Sequence, residues 1–339
     1  MKKFYLLNVL LFFINTNAQS VKGSVFDEYN KPLYGANVYL DGSSIATITD
    51  QNGNFTLPIL TKINLPIIIS FVGFETQYFK NNDVNTFMKI ILKEKINHLN
   101  DVVIHKSKYT RKQMIKLFKE QFLGVTNAAK ETIIENEDAI NFFYNEKTLV
   151  FEASSNEALI IKNPYFGYKI TYQLVNFEIK FPFLSILSPD VINSYYAGLS
   201  RFEELNVNEK IIKRRIKSYQ GSSAHFFRSL LKNDLTTNKF VLYDGSFATE
   251  TKNCFKINDT LDLKKITVIK NPKSFKPKNF IAEYSILFNK KEQSKIIFYT
   301  DYFYIDSFGN FSNLESIIFS GDFAKKRVAN MLPINFGIK

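Results

Sequence analysis

Short stretches in which apolar and polar residues alternate dominate the first hundred positions of the chain. Residues 21–26 alternate with a period of two, and residues 36–40 form a second such stretch after a cluster of turn-forming residues. Residues 65–72 are a continuous apolar run, typical of a strand buried inside a sandwich, and residues 86–92 add another segment. Several short strands separated by turns at roughly ten-residue spacing predict an antiparallel β-sandwich.

Four residues mark the predicted reversals of this sandwich. Asp50 begins a tight turn, and Gly53 can adopt the positive φ that closes such a hairpin. Gly35 and Gly73 also stand where the chain is expected to reverse. The segment from Asp50 to Gly53 faintly resembles a calcium loop but lacks its later ligands and its bidentate glutamate. We therefore predict structural turn positions here, not a metal site.

The hydrophobic period changes after residue 108. Met114, Leu117, Phe118 and Phe122 recur at helical spacing and predict an amphipathic helix over 110–123. Two further helices, broken near Gly221, are predicted within 205–231. Strands are predicted on both sides of them, over 139–144, 148–153, 159–162, 168–180, 280–288, 295–305 and 317–323. This pattern indicates an α+β unit with helices inserted between two β-rich stretches.

The N-terminus has the pattern of a secretory signal peptide. Lys2 and Lys3 precede an apolar run over 4–14, and the small residues Thr16 and Ala18 precede a predicted cut before Gln19. The run is about half the length needed to span a bilayer, and no later apolar stretch reaches that length. We expect an exported chain without a transmembrane helix after cleavage. The predicted division is a signal peptide over 1–18, a sandwich over 19–104 and an α+β unit over 105–339.

Composition restricts the classes of function. The single cysteine, Cys254, excludes an intramolecular disulfide framework. The formal net charge is +12, and residues 205–300 carry the excess, with 19 Lys and Arg against eight Asp and Glu. A basic face suits anionic lipid, lipopolysaccharide phosphates or an acidic partner, but a solvated surface that tolerates lysine is the favoured interpretation. Export and the lack of any legible nucleic-acid-binding motif argue against nucleic acid.

The first domain resembles a known family. Four motifs carry the resemblance in order: Val21-x-Gly23-x-Val25, Pro32-Leu33-x-Gly35-Ala36-x-Val38, Thr49-Asp50-x-x-Gly53-x-Phe55 and Ser70-x-Val72-Gly73-Phe74. They are similar to the carboxypeptidase regulatory-like (transthyretin-like) domain found in many envelope proteins of Bacteroidota, including TonB-dependent receptors of the SusC type. The resemblance implies a transthyretin-like fold and an envelope location, and no catalysis.

A zinc peptidase is excluded by the histidines themselves. Zinc carboxypeptidases need a His-x-x-Glu pair and a distant third ligand. His98, His105 and His225 are the three histidines of the chain, and none has a glutamate at that spacing. We therefore predict no metal, no cofactor and no catalytic residue.

The rest of the chain resembles the uncharacterised Bacteroidota family of carboxypeptidase-like regulatory domain-containing proteins. The motifs are Phe122-Leu123-Gly124, Gly167-Tyr168-Lys169-Ile170-x-Tyr172, Tyr219-x-Gly221-Ser222-x-x-His225-Phe226-x-Arg228-Ser229-Leu230 and Arg327-Val328-Ala329-x-x-Leu332-Pro333. This second resemblance implies an architecture and no particular chemistry.

One segment combines a hydroxyl, an imidazole and a guanidinium. Ser222 and His225 lie one turn apart on the same predicted helix, and such short-range pairs rarely build a triad, which also needs a third, orienting group. No Gly-x-Ser-x-Gly elbow is present. A capped structural helix is the favoured interpretation, and an anion or partner site at a helix N-terminus is the alternative. The candidate binding residues are Tyr219, Ser222, His225, Arg228, Lys213, Arg214 and Arg215.

These observations predict a non-enzymatic envelope binding or assembly protein, periplasmic or associated with an outer-membrane protein complex. The sandwich would serve as the docking module and the basic unit as the contact surface. Two alternatives stay open: a carbohydrate- or surface-binding protein, suggested by the aromatic content, and an unrecognised hydrolase.

Overall fold

The computed structural model of the chain describes residues 19–59, 65–80, 87–95, 108–260, 263–271 and 279–338. The predicted signal peptide over 1–18 lies outside the described residues, as do His98 and His105. Among the described residues, no helix is long and apolar enough to cross a membrane.

Seven strands form the N-terminal part as two facing sheets. One sheet has the order β4-β1-β7 and the other the order β3-β2-β5-β6. All pairings are antiparallel except β1 with β7, which is parallel. The predicted β-sandwich is confirmed, with this one parallel pair. Its strands are β1 (Gln19–Phe26), β2 (Asn37–Leu40), β3 (Ala46–Ile48), β4 (Asn54–Ile59), β5 (Pro66–Ser70), β6 (Gln77–Lys80) and β7 (Met88–Ile91).

The alternation of strand side chains builds the core of this sandwich. In β4 the residues Phe55, Leu57 and Ile59 are buried and their neighbours are exposed. Val38 on β2 and Ile69 on β5 enter the same hydrophobic cluster. Because successive side chains point to opposite faces of a strand, each sheet contributes one apolar face to the core.

The turns of the sandwich have the geometry that their residues favour. The Asp50 carboxylate accepts hydrogen bonds from the N–H groups of Asn52 and Asn54 at 2.9 and 2.8 Å. Gly53 has a φ of 77°, and a Cβ there would lie 2.5 Å from the carbonyl oxygen of Val25. A side chain at that position would therefore strain the turn.

A six-stranded sheet covered by a helix follows the sandwich. Its path is β8-β11-β12-β10-β9, and β13 pairs along β12. Helix α1 places Leu117, Phe118 and Phe122 in the core that lies on this sheet. The elements are α1 (Arg111–Phe122), α2 (Asn127–Glu131), β8 (Ile133–Ile134), β9 (Ile140–Asn145), β10 (Val150–Ser155), β11 (Leu159–Asn163), β12 (Tyr168–Lys180) and β13 (Asn193–Glu204).

Four α-helices and two smaller sheets make up the rest of the described residues. The sheets have the orders β15-β14-β18-β19-β21 and β16-β17-β20, and they share a core with Phe226 and Phe227. The predicted α+β fold class of the second part is confirmed. The elements are α3 (Glu209–Tyr219), α4 (Ser223–Lys232), β14 (Phe240–Asp244), β15 (Phe247–Thr249), α5 (Thr251–Cys254), β16 (Phe255–Asp259), β17 (Lys264–Val268), β18 (Ala282–Phe288), β19 (Glu292–Phe298), β20 (Tyr302–Ile305), β21 (Ile317–Gly321) and α6 (Asp322–Lys325).

Residues 105–339, predicted as one unit, contain two hydrophobic clusters. The first is built from residues 114–202 together with Val328 and Ala329, and the second from residues 226–323. The C-terminal segment therefore connects the two clusters, because it leaves the second cluster after Phe323 and places Val328 and Ala329 in the first.

Two local predictions are corrected by the structure, and one long strand was missed. The strand predicted over 295–305 is two strands, β19 and β20, because the chain turns between Phe298 and Tyr302. The strand predicted over 317–323 ends at Gly321, whose φ is 71°, and α6 follows. Strand β13 was not predicted at all.

The sandwich joins the rest of the molecule at the turn between β2 and β3. The Gly42 N–H donates to the Ser200 carbonyl at 2.7 Å, and the Phe202 N–H donates to the Ser43 carbonyl at 3.0 Å. The Ile334 N–H donates to the Gly42 carbonyl at 2.7 Å. This turn therefore contacts both β13 and the C-terminal segment.

Candidate functional site

Helix α4 begins with a side-chain cap. The Ser222 hydroxyl accepts a hydrogen bond from the His225 N–H at 3.1 Å, which satisfies one of the free N–H groups of the first helical turn. Gly221 separates α3 from α4 with a φ of 66°, and a Cβ there would lie 2.6 Å from the Phe288 ring. The Ser222 hydroxyl thus caps the start of α4, and the positive φ of Gly221 allows the chain to change direction between α3 and α4.

The imidazole of His225 is buried and faces neighbours other than Ser222. Its Nδ1 accepts a hydrogen bond from the Gly221 N–H at 3.2 Å, and its Nε2 lies 3.4 Å from the Asn238 side-chain oxygen. The ring packs against Phe240, with centroids 4.9 Å apart. Burial lowers the pKa of His225. This arrangement favours a neutral structural histidine over a general base for the Ser222 hydroxyl.

Arg228 is buried and donates to three backbone carbonyls from distant parts of the chain. Its Nε donates to the Phe308 carbonyl and its Nη1 to the Phe336 carbonyl, each at 2.8 Å. Its Nη2 donates to the Ile334 carbonyl, and the guanidinium lies 5.2 Å from the centroid of the Tyr219 ring. The planar fork of arginine donors suits this multiple contact.

The loop that Arg228 holds carries an aromatic side chain into the sandwich. The Asp306 carboxylate accepts from the N–H groups of Phe308 and Asn310 at 2.8 and 3.0 Å and fixes the loop. The Phe308 side chain is buried in the hydrophobic cluster of the sandwich. Arg228, Phe308, Ile334 and Phe336 therefore form what we call the fastening cluster, which ties α4 to the sandwich and to the C-terminal segment.

The two arginines of α3 also contact the protein itself. Arg215 is buried, donates to the Phe166 carbonyl at 2.8 Å, pairs with the Glu204 carboxylate and lies 3.7 Å from the Tyr168 ring centroid. Arg214 lies 3.9 Å from the Tyr165 ring centroid. Both residues hold α3 against the turn between β11 and β12.

Lys213 differs from its neighbours because it points into solvent. Its side chain is 78% exposed, and its ammonium lies 3.7 Å from the carboxylate of Glu209, which is 91% exposed. Of the predicted binding residues, Tyr219, Ser222, His225 and Arg228 come together at α4, and Arg214 and Arg215 lie at a separate contact. Binding by any of them stays a prediction.

The end of the sandwich opposite its attached turn displays large apolar side chains. We call this the free end and define it by the turns over 27–36, 49–53 and 71–75. Tyr29, Tyr34 and Val72 are 84%, 63% and 92% exposed there. Side chains added at Gly35 or Gly73 would meet no atom within 4 Å. From the sequence, these turns were predicted only as chain reversals. The large apolar residues within them, Tyr29, Tyr34 and Val72, were the signal of an exposed surface.

Metal-ligand clusters and reactive thiols are two further kinds of chemical site sought in the described residues. No three His, Cys, Asp or Glu side chains of these residues lie close enough together to hold a metal ion. The Cys254 thiol is buried, and burial raises its pKa to about 12, so it is not a reactive thiolate at neutral pH. An open cleft of about 430 Å³ is lined by Tyr195 and residues 311–316.

Comparison with known proteins assigns the first domain. Residues 21–104 match the family model of the CarboxypepD_reg-like domain. The TonB-dependent receptor SusC of Bacteroides thetaiotaomicron is 39% identical over 85 residues, which are 25% of this chain and 8% of the receptor. The TonB-dependent receptor P39 of Formosa agariphila is 32% identical over 93 residues, 26% of this chain and 9% of that receptor. The resemblance seen in the four N-terminal motifs is confirmed.

The two receptor matches cover about a quarter of this chain. The chain spans less than a tenth of the length of either receptor. Among solved structures, a cohesin–X-dockerin complex of Acetivibrio cellulolyticus aligns with a TM-score of 0.21 and 17% identity, covering 22% of this chain and 58% of that one. The resemblance of residues 105–339 to an uncharacterised family stays a prediction.

Proposed function

We propose that this protein is a non-enzymatic component of the bacterial cell envelope that binds an outer-membrane protein complex through the free end of its sandwich. The protein is exported and resides in the periplasm or at the outer membrane. The CarboxypepD_reg-like domain over residues 21–104 and the similarity of about a quarter of the chain to two TonB-dependent receptors support this location. The signal-peptide pattern of the first 18 residues supports it independently.

The exposure of Tyr29, Tyr34 and Val72 carries the binding part of the proposal. Large aromatic and aliphatic side chains clustered on one exposed surface are typical of protein interaction sites. The opposite end of the sandwich is already occupied by β13 and by the segment around Ile334. Within the residues that the structure describes, the side chains of Tyr29, Tyr34 and Val72 at the free end are therefore accessible to a partner.

The geometry of α4 supports the non-enzymatic part of the proposal. Ser222 caps the helix, and the nitrogens of His225 face Gly221 and Asn238. Arg228 donates to three carbonyls. The three groups that would be recruited for hydrolysis or anion binding are thus each engaged in holding the fold.

Site-specific photo-crosslinking in the native cell tests this function. A photo-reactive amino acid is placed at Tyr34 or Val72 in the full chain, and at Phe247 on β15 as an exposed apolar control. We expect one discrete product from both free-end positions, in the envelope fraction and containing an outer-membrane protein, and no such product from Phe247. Absence of a product at the free end, or the same product at all three positions, would refute the proposal.

A further inference from the structure

Helix α3 has an outer surface made of one apolar row and one basic row. Residues four apart lie on the same side of a helix, so Ile212 aligns with Ile216 and Lys213 with Lys217. Ile212 and Ile216 are 41% and 44% exposed. The opposite side of the helix is buried through Ile211, Arg215 and Ser218.

The apolar row continues beyond the start of the helix. Asn208 caps α3 by accepting a hydrogen bond from the Ile211 N–H at 2.9 Å. Val207 immediately precedes this cap, and Ile212 is the fourth helical residue, which are the two positions that form a hydrophobic staple in many helices. Val207 is exposed, as is Leu205 just before it. The exposed apolar row thus runs from the entry of the helix to its second turn.

The basic row is largely without acidic partners. Lys213 pairs only with the exposed Glu209 at 3.7 Å. Within the part of the chain that the structure describes, no ion pair is formed by Lys210 or Lys217. Three ammonium groups on flexible stems therefore lie along one side of the exposed isoleucines, and the exposed Glu209 lies between the two rows.

The division of cations within α3 indicates what these lysines contact. Both arginines, which suit directed contacts with carboxylates and carbonyls, are used against the protein itself. Only lysines, whose compact and hydrated charges suit a diffuse negative surface, face outwards. A basic helix surface with an exposed apolar row is the pattern of a segment that lies at a membrane interface.

We propose that the outer surface of α3, with Val207, docks on an anionic phospholipid bilayer. Ile212 and Ile216 enter the boundary between headgroups and acyl chains, and Lys210, Lys213 and Lys217 contact lipid phosphates. The proposal rests on the proposed envelope location and adds a membrane-facing side to it. Arg215 and Arg214 hold the helix rigidly on the body of the protein, so docking requires no rearrangement.

Co-sedimentation of the purified full chain with lipid vesicles tests the proposal. The vesicles contain either phosphatidylcholine alone or phosphatidylcholine with one part in three of phosphatidylglycerol. The variants are Lys213→Gln with Lys217→Gln, and Ile212→Ser with Ile216→Ser. Lys290→Gln with Lys291→Gln, in the exposed turn between β18 and β19, is the control with the same change of charge.

We expect binding to the phosphatidylglycerol vesicles alone, weakened by salt. Removing the two lysines is expected to reduce affinity about 25-fold, from about five-fold per lysine near an anionic surface. The isoleucine pair is expected to reduce it about ten-fold, and the control by less than two-fold. No binding to the anionic vesicles, or equal losses in the control and the α3 variants, would overturn the proposal. Because crosslinking at the free end does not depend on α3, this result and the test of function can fail separately.

Discussion

Helices α3 and α4 are neighbours in one basic stretch. The candidate binding residues of α4 all contact the protein, whereas α3 divides its cations between the protein and solvent. On α4, Ser222, His225 and Arg228 all face the protein, and Arg228 contacts three carbonyls. On α3, Lys213 faces solvent while Arg215 two positions later is buried. The difference teaches that a cation's position around its helix, and not the local excess of charge, decides whether it holds the fold or presents a surface.

The chemistry of the two kinds of cation follows the same division. Arg215 and Arg228 each direct several donors to fixed oxygen atoms, which their planar guanidinium groups allow. The exposed cations of α3 are lysines. Part of the chain's formal net charge of +12 is therefore carried by arginines that hold the fold and are not available to a ligand.

The largest effect is expected from removing the α4 arginine. Arg228→Ala should lower the free energy of unfolding by about 3–5 kcal/mol, because three carbonyls lose charge-assisted hydrogen bonds from a buried guanidinium. Urea denaturation of the full chain followed by circular dichroism measures this change. Lys213→Ala on α3 serves as the matched substitution and should leave stability within experimental error, since exposed ion pairs contribute little. Equal stabilities of the two variants would contradict the division between the helices.

A smaller effect on the free energy of unfolding tests whether Ser222 acts as a helix cap or as a nucleophile. Ser222→Ala should lower the free energy of unfolding by about 1 kcal/mol through loss of the N-cap. Ser223→Ala, one residue further along, should change it by less than about 0.5 kcal/mol because that hydroxyl is beyond the cap position. Thermal unfolding of both variants makes the measurement. A Ser222→Ala protein as stable as the wild type would remove the evidence that this hydroxyl has a structural role.

Local patterns predicted the elements whose residues carry their own signal. The spacing of Met114, Leu117, Phe118 and Phe122 placed α1 to within a residue at each end. Gly221, whose positive φ separates α3 from α4, was identified as the break between two helices. The sandwich was predicted for the same reason, because its strands alternate and its turns contain Asp and Gly at the required positions.

The features that depend on distant contacts could not be predicted in this way. Strand β13 has no clean alternation, since nearly all of its residues are only partly buried, and it forms because β12 pairs along its whole length. Arg228 meets Phe308 and Phe336, which are 80 and 108 positions away. The exposed apolar side chains of the free end become a surface only when the turns of the sandwich are brought to one end.

The central claim is that Arg228, through the fastening cluster, ties the sandwich to the rest of the molecule. Amide hydrogen exchange tests this claim most directly. Arg228→Lys keeps the charge but cannot donate to all three carbonyls at once. We predict faster exchange of the Ile334 amide, which donates to Gly42, and of the Gly42 amide, which donates to Ser200, with β18 and β19 still protected. Unchanged exchange at Ile334 and Gly42 in this variant would contradict the claim that Arg228 ties the sandwich to the rest of the molecule.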